Sequence, residues 1–517
     1  MHGYLLAIDQ GTTGSTALVM GLDGKTLGRE TCELPQHFPK PAWVEHDPGE
    51  ICASVEQSVS GALRQAGVRG NDINAIGITN QRETTLIWER TSGRPIQRAI
   101  VWQDRRTTPE CEALKAAGHE ALVRERTGLV IDPYFSATKI GWLLDHTSGA
   151  RARAEAGELA FGTVDSYLIW WLAGGAAAAA PHVIEATNAS RTSLMNLAQI
   201  AWDPALCELF RVPRSLLPKI VPSAGPIART RGSSFLPDGV PICGVAGDQQ
   251  AALFGQACFD PGEGKCTYGT GAFVVVNTGE DRVQSRHGLI TTLAWQLPSG
   301  LGLGNASGPA NGSALTAAYA LEGSCFVAGA AVQWLRDGLG LIRSSKEVEA
   351  LARSVETSEG VVFVPALSGL GAPHWDPEAR GLITGLTRGS TAGHLARATL
   401  EAIALQVNDV IAAIRDDLPR PVRTLRVDGG AAENDLLMQY QADVSDLVIQ
   451  RPDNLETTAR GAAMLAGVGA GLFPDIRQAA QMVQHPESFQ PTFSPSARAE
   501  HLERWQVALE RTRSPRH

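Results

Sequence analysis

The sequence predicts an α/β protein of two domains with a cleft between them, and three observations lead to this prediction. The chain has 517 residues, which is too long for a single hydrophobic core. Apolar strand-like runs that end at turn residues are interspersed with patterned helices. A turn of glycine and threonine between two such runs occurs near the start of each half, at 11–14 and at 269–271. This repetition indicates a duplicated architecture.

Composition excludes several classes of protein. The chain is 44% hydrophobic and 19% charged, as is usual for a globular protein that is not embedded in a membrane. Its net charge of −9 and its lack of a long basic run argue against nucleic acid as a partner. The eight cysteines are scattered without a C-x-x-C pair, which favours reduced thiols over disulfides or a zinc site.

Two apolar stretches are expected to be neither leader nor membrane span. Asp9 interrupts the first apolar run, and no basic residues precede it, so no targeting segment is predicted. The stretch "LIWWLAGGAAAAAP" (168–181) is too short to cross a bilayer. We expect a core helix followed by a loop there, and no membrane segment.

Four strands are predicted in the first half. The stretch "YLLAIDQGTTGSTALVMGLDGKTLGRE" (4–30) predicts strand, turn, strand and a second turn at "LDGK". Because the first turn leads into a strand and not a helix, it is not a Walker P-loop. The run "INAIGITN" (73–80) predicts a strand that ends in polar residues, and "PICGVAG" (241–247) predicts another, followed by the helical "QQAALFGQ".

The second half repeats the strand-and-turn pattern. The stretch "KCTYGTGAFVVVNTG" (265–279) predicts a second hairpin, and "LRVDGGAAEND" (425–435) predicts a strand and turn before a helix. The stretch 296–315 is rich in Gly, Ser, Asn and Pro, which predicts a flexible surface loop.

Several residues in these turns could carry out phosphoryl transfer, which needs in-line positioning, Mg²⁺ and a proton acceptor. Asp9 could hold Mg²⁺, or simply shape its turn. Residues 11–14 could donate to phosphate oxygens. Asp248 could accept the proton of an attacking hydroxyl, or cap the helix that it opens. Arg82 and Glu83 could bind hydroxyls, or form a surface ion pair.

Motifs in these segments resemble the FGGY family of carbohydrate kinases from about residue 4 to about residue 480. They include "DQGTTGST", "GITNQRETT", "AIVWQDRRT", "FGTVDSYLIW", "TNASRTSL", "TYGTGAF" and "LRVDGGAAEND". Segments Tyr134 to His146 and Gly381 to Glu401 resemble the family's general signatures, whereas "TNQRE" and "GDQQAALFGQ" resemble its glycerol-phosphorylating members. The resemblance implies two actin/hexokinase-like (ribonuclease H-like) domains. Residues 1–255 would hold the glycerol site and phosphate hairpin, and 256–517 the adenine-nucleotide site.

The resemblance also implies an activity and a set of site residues. The activity is ATP- and Mg²⁺-dependent phosphorylation of glycerol to sn-glycerol 3-phosphate, by a cytoplasmic homodimer or homotetramer. The implied catalytic residues are Asp248 and Asp9, with Asp9 as the metal ligand. The implied glycerol-binding residues are Arg82, Glu83, Trp102, Tyr134, Asp248, Gln249 and Phe273. The implied nucleotide-binding residues are Gly11, Thr12, Thr13, Gly14, Thr270, Gly329, Gln333, Gly430 and Asn434.

The chain departs from the family in ways that leave alternatives open. Thr16 stands where the family turn commonly has an arginine, and 230–239 lacks the glycine-rich loop through which bacterial relatives bind fructose 1,6-bisphosphate. A kinase for another small polyol such as erythritol, or for dihydroxyacetone, is a second hypothesis. A nucleotide-binding regulator without catalysis is a third, and the presence of both Asp9 and Asp248 argues against it.

Overall fold

The computed structural model describes residues 3–302, 314–376, 378–483 and 487–514. The strands, numbered in chain order, are β1 (Tyr4–Gln10), β2 (Gly14–Gly21), β3 (Thr26–Glu33), β4 (Glu45–His46), β5 (Ile73–Asn80), β6 (Leu86–Glu89), β7 (Ala99–Ile100), β8 (Leu159–Gly162), β9 (Val183–Glu185), β10 (Met195–Asn196), β11 (Ala201–Trp202), β12 (Lys219–Val221), β13 (Ala224–Arg229), β14 (Pro241–Gly247), β15 (Gly264–Tyr268), β16 (Ala272–Gly279), β17 (Ile290–Pro298), β18 (Leu315–Cys325), β19 (Val362–Val364), β20 (Leu382–Thr384), β21 (Thr424–Asp428), β22 (Val448–Arg451) and β23 (Glu487–Phe489). The α-helices are α1 (Pro48–Ala66), α2 (Thr108–Ala116), α3 (Glu120–Thr127), α4 (Ser136–His146), α5 (Ala150–Glu155), α6 (Val164–Leu172), α7 (Ala186–Ala189), α8 (Pro204–Leu209), α9 (Asp248–Gly255), α10 (Gly329–Asp337), α11 (Glu347–Ala352), α12 (Ala392–Asp417), α13 (Asp435–Ser445), α14 (Thr457–Gly469), α15 (Ile476–Ala479) and α16 (Pro495–Thr512).

Two large sheets share one strand arrangement. The first sheet has the order β13-β14-β5-β1-β2-β3, and the second has β17-β18-β16-β15-β21-β22-β23. In the first, β1, β2 and β3 are successive antiparallel neighbours, while β5 and β14 run parallel to β1. In the second, β15, β16 and β18 are antiparallel neighbours, while β21 and β22 run parallel to β15. The predicted duplication is therefore confirmed strand by strand.

The predicted strands, Gly/Thr turns and core helix are also confirmed. The strands predicted at 73–80 and 241–247 are β5 and β14, and each Gly/Thr turn joins two antiparallel strands. The central strand β5 is buried along nearly its whole length, which explains its continuous apolar run. The stretch 168–181 ends a buried helix, α6, and continues as a short turn and loop. No helix among the described residues has both the length and the apolarity needed to cross a bilayer.

The loop predicted at 296–315 is only partly described. Its two ends belong to β17 and β18, which pair as an antiparallel hairpin from Ile290 to Pro298 and from Leu315 to Cys325, so the loop prediction is wrong at 296–298 and at 315. Residues 303–313, which form most of the predicted loop, lie outside the described residues.

Helix α14 comes from the second half of the chain but packs on the first sheet. A Cβ added to Gly244 of β14 would lie 2.2 Å from the backbone nitrogen of Ala466, so only glycine permits this contact. Buried side chains of α14 share one hydrophobic cluster with Leu5, Ala75 and Phe254. The packing of α14 fixes the position of β14, at whose end α9 begins.

The domain boundary between residues 255 and 256 stays a prediction.

Candidate active site

The parallel strands of the first sheet bring the predicted catalytic segments to one edge. The register pairs Gln10 of β1 with Asn80 of β5, and Asn80 with Gly247 of β14. Because these strands run in the same direction, the residues at or after their carboxyl ends lie at the same edge. Asp9, the Arg82–Glu83 pair and Asp248 all stand at this edge.

Asp248 is the first residue of α9, and Gly247 occupies the N-cap position. The hypothesis that Asp248 itself caps the helix is therefore wrong. One of its carboxylate oxygens accepts the N–H of Gln249 (2.7 Å) and lies 3.2 Å from Nε of Arg82. The Asp248 side chain is 32% exposed, so a hydroxyl group can reach this carboxylate.

The glycines of β14 leave room for neighbouring groups to pack closely. Gly244 admits α14, and a Cβ on Gly247 would lie 2.7 Å from Cγ of Arg82. Gly247 leaves room for the Arg82 side chain to pass beside the start of α9.

Arg82 and Glu83 form a buried pair, not a surface one, with side chains 2% and 1% exposed. Arg82 donates from Nη1 to Oε1 of Gln250 (3.2 Å) and from Nη2 to the hydroxyl oxygen of Tyr134 (3.3 Å). Glu83 has a φ of 60°, a left-handed conformation that is uncommon outside glycine. Its carbonyl oxygen accepts from Oγ of Ser136 (2.9 Å), which helps to hold this strained residue.

Three buried charged residues that the sequence analysis did not single out complete the site. Glu322 of β18 contacts both Arg82 and Arg191, with nearest distances of 2.6 and 3.0 Å. Arg191 also donates from Nε to Oε1 of Glu83 (2.6 Å). Although burial opposes ionisation, Arg191 and Arg82 lower the pKa of Glu322 to about 2. A charged residue inside the otherwise apolar strand "YALEGSC" is the signal that could have revealed it.

Lys265 is the third of these residues, and it lies on the same face of the second sheet as Glu322. The ladder pairs Lys265 with Val275, and Val275 with Glu322. The Lys265 ammonium donates to Oε1 of Gln249 and to Oγ1 of Thr267 (2.7 Å). Burial lowers its pKa below the usual value. Lys265 thus ties Gln249, a predicted glycerol ligand, to the second sheet.

Two of the aromatic residues predicted for the glycerol site, Trp102 and Tyr134, lie partly exposed near the same edge. The rings of Trp102 and Tyr134 meet edge to face, with centroids 5.6 Å apart. Phe273 pairs with Thr267 across the β15–β16 ladder and is also partly exposed. The indole N–H of Trp102 donates to Oγ1 of Thr12 (2.8 Å), which joins this ring to the first Gly/Thr turn.

The first Gly/Thr turn is closed by a hydrogen bond from Gly11 N–H to Gly14 O (2.8 Å). Thr13 is exposed at its tip. Asp9 precedes the turn and is paired across the hairpin with Thr16. Burial, and then the charges of Asp248 and Glu456, raise the pKa of Asp9 from its usual value to about 8.

The second Gly/Thr turn contacts the start of α10. The carbonyl oxygen of Thr270 accepts from Ala328 N–H (2.8 Å), and Gly329 N–H donates to Gly269 O (2.9 Å). Gly430 has open space where a Cβ would stand. The Asn434 side-chain oxygen caps α13 by accepting from Leu437 N–H (2.8 Å). Gln333 is exposed on α10, one helical turn after Gly329.

The sequence matches two family domains that together cover most of the chain. Residues 4–255 match the N-terminal domain of the FGGY family of carbohydrate kinases, and residues 264–470 match its C-terminal domain. The chain belongs to the FGGY family. The two-domain actin/hexokinase-like fold implied by the sequence motifs is confirmed by this membership together with the paired sheets.

Individual relatives of this FGGY kinase match over nearly its whole length. A Myxococcus xanthus protein named glycerol kinase is 53% identical over 508 residues, covering 98% of this chain and 99% of the relative. An Aromatoleum aromaticum protein of the same name is 53% identical over 510 residues, covering 99% of both chains. Plasmodium falciparum glycerol kinase, solved with ADP, has a TM-score of 0.89 at 33% identity and covers 100% of this chain and 99% of its own. Lactobacillus acidophilus gluconate kinase, at 20% identity and a TM-score of 0.84, shares the fold.

The carboxylates of this FGGY kinase fit a Mg²⁺ ion that is held mainly by the phosphates of a substrate. Among the described residues, no group of three or more histidine, cysteine, aspartate or glutamate side chains could hold a metal ion. Mg²⁺ in phosphoryl-transfer sites is commonly held by one or two carboxylates together with substrate phosphates. Burial, and then the charge of Asp248, raise the pKa of the Asp9 carboxyl, and a nearby cation would stabilise its ionised form.

Proposed function

We propose that this FGGY kinase transfers the γ-phosphoryl group of ATP to glycerol and forms sn-glycerol 3-phosphate. The observation that carries the proposal is the buried Arg82–Glu83 pair beside the accessible carboxylate of Asp248. The pair provides guanidinium donors and a carboxylate acceptor, and Asp248 provides a proton acceptor at the same place. The relatives named glycerol kinase, matched over nearly the whole chain, support glycerol as the substrate.

The site suits a small molecule with several adjacent hydroxyls. Arg82 donates, Glu83 accepts, and the hydroxyl of Tyr134 can do both. The rings of Trp102, Tyr134 and Phe273 provide apolar surface for a short carbon chain. Because Arg82 and Glu83 are buried and charged, an analogue that lacks a hydroxyl would lose a hydrogen bond to a charged group, at a large loss of affinity.

Asp248 acts as the general base in the proposed reaction. A terminal hydroxyl lies beside the contact of Arg82 with Asp248, accepting from the guanidinium and donating to the carboxylate. As the hydroxyl oxygen forms a bond to the γ-phosphorus, its proton passes to Asp248 and the bond from the γ-phosphorus to the β,γ-bridging oxygen breaks. The products are glycerol 3-phosphate and ADP.

The two Gly/Thr turns approach the phosphate chain from opposite sides. Thr12, Thr13 and the backbone of residues 11–14 donate from the first sheet, and Thr270 donates from the second. Gly329, Gln333, Gly430 and Asn434 are the proposed positions for the adenosine end. Mg²⁺, when bound to the phosphates, would neutralise developing negative charge. Asp9 would hold it directly or through water.

We also propose a cytoplasmic homodimer or homotetramer. Support for the compartment comes from the eight cysteines, all of which are free thiols in the structure, as a reducing environment would keep them. Support for the assembly comes from family resemblance alone. Light scattering coupled to size-exclusion chromatography tests it, and a monomer at micromolar concentration would contradict it.

A coupled assay of ADP release tests the proposed activity. We expect turnover with glycerol to exceed turnover with erythritol, dihydroxyacetone, xylulose and gluconate at least tenfold in kcat/KM. A higher kcat/KM for another polyol or for dihydroxyacetone would give that compound as the substrate. ATP binding without turnover of any compound would indicate a regulator that lacks catalysis.

A further inference from the structure

Four buried side chains form a closed ion cluster, which we call the cross-sheet cluster: Arg82, Glu83, Arg191 and Glu322. Glu322 contacts Arg82 through both carboxylate oxygens, at 2.6 Å from Nη1 and 2.9 Å from Nη2. Arg191 joins Glu322 (3.0 Å) to Glu83 (2.6 Å). Each of the four side chains is at most 2% exposed. Two cations and two anions therefore balance one another away from water.

The members of the cross-sheet cluster come from both sheets. Arg82 and Glu83 follow β5, and Arg191 follows α7, all in the first half of the chain. Glu322 lies on β18 of the second sheet. Among the described residues, Glu322 is the one carboxylate of the second half that forms an ion pair with Arg82.

Glu322 fixes the orientation of the Arg82 guanidinium. The two Nη groups of Arg82 are engaged by Glu322, by Gln250 (3.2 Å) and by Tyr134 (3.3 Å). The Nε edge is the part that points to Asp248, at 3.2 Å. A planar guanidinium held at both Nη groups by one carboxylate cannot rotate without breaking two charge-assisted hydrogen bonds.

We propose that Glu322 is a positioning residue for the transfer reaction, and that through it the second sheet completes the polyol site of the first. The inference rests on the proposed function, because it assigns the Nε edge of Arg82 to the reacting hydroxyl. Glu322 does not touch the reacting atoms. It orients Arg82 directly and, through Arg191, keeps Glu83 in place as the hydroxyl acceptor.

The variant Glu322→Gln tests this role, since it retains the shape but loses the charge and one acceptor. We expect KM for glycerol to rise at least about tenfold, the effect of losing a charge-assisted hydrogen bond, while KM for ATP changes less than about twofold. Glu322→Asp keeps the charge but shortens the side chain, so it should fold and raise KM for glycerol by an intermediate factor. If Glu322→Gln does not fold, Glu322→Asp alone tests the proposal. An unchanged KM for glycerol in Glu322→Asp would then overturn it.

Glu401→Gln is the matched control. Glu401 is also a buried glutamate of the second half, paired with Arg397 (3.0 Å) and Ser358 (2.8 Å) in α12 and its surroundings. The control should lower thermal stability without changing either KM. If both variants raise KM for glycerol equally, the effect of Glu322 is general destabilisation and the proposal is wrong.

Measurements on the wild type distinguish failure of the positioning role from failure of the proposed function. Wild-type turnover of glycerol with an unchanged KM in Glu322→Gln would overturn the positioning role alone. A wild type with neither turnover nor a glycerol-induced rise in Tm would overturn the proposed function and the positioning role together.

Discussion

The hydrogen bond from Trp102 to Thr12 predicts that a residue of the polyol pocket affects ATP binding. The Thr12 hydroxyl has one proton, and because its oxygen accepts from the indole N–H (2.8 Å), that proton remains available for a phosphate oxygen. Trp102→Phe removes the N–H donor and keeps an aromatic ring beside Tyr134. A neutral hydrogen bond contributes about 0.5–1.5 kcal/mol, so KM for ATP should rise by about 2- to 13-fold.

Steady-state kinetics with ATP varied at saturating glycerol measure this effect, and a double-mutant cycle isolates it. Thr12→Val removes both the acceptor and the donor, so it should raise KM for ATP by at least as much as Trp102→Phe. Once Thr12 is valine, Trp102→Phe should have little further effect. Additive increases in KM for ATP would show that the two residues act independently and would refute the reasoning.

Three further perturbations follow from the same geometry. Asp9→Asn should abolish turnover yet raise Tm in the absence of Mg²⁺ by about 2 °C or more at pH 9, and by less at pH 5. Because the pKa of Asp9 is about 8 in the folded protein, ionisation of Asp9 destabilises the native state as pH rises from about 4 to 8. An equal shift in Tm at both pH values would contradict this. Thr16→Arg should lower KM for ATP and leave KM for glycerol nearly unchanged. Thr16 is the cross-strand partner of Asp9, and no lysine or arginine among the described residues forms an ion pair with Asp9. An unchanged or raised KM for ATP would contradict this prediction. Trp102→Ala should raise KM for glycerol more than KM for erythritol, because it opens the carbon-side wall of the pocket; equal ratios would show that Trp102 does not select for size.

Local sequence patterns predicted the parts of the fold that depend on short-range pairing. The two Gly/Thr hairpins, β5 and β14 each have an apolar run bounded by turn residues, and each was predicted at its observed position. The packing of α14 on the first sheet could not be predicted this way. It depends on a contact between Gly244 and Ala466, which are more than 200 positions apart in the sequence.

The sequence likewise predicted some features of the candidate site and not others. Asp9, Arg82, Glu83 and Asp248 follow strands, so their types and positions could be read from the sequence. Whether Arg82 and Glu83 form a surface pair or a buried one depends on Glu322, which is 240 residues from Arg82. The nucleotide positions rest on family resemblance, because a glycine such as Gly430 has the same local pattern in a turn without a ligand.

The central claim is that Asp248 is the general base of a glycerol-phosphorylating kinase. Its most direct test is the kcat of Asp248→Asn, measured by ADP release at saturating glycerol and ATP. Asparagine keeps an oxygen that can accept a hydrogen bond from the guanidinium of Arg82, so KM for glycerol should change much less than kcat. The account predicts a fall in kcat of about 100-fold or more with the fold intact. A variant with near-normal kcat would contradict it.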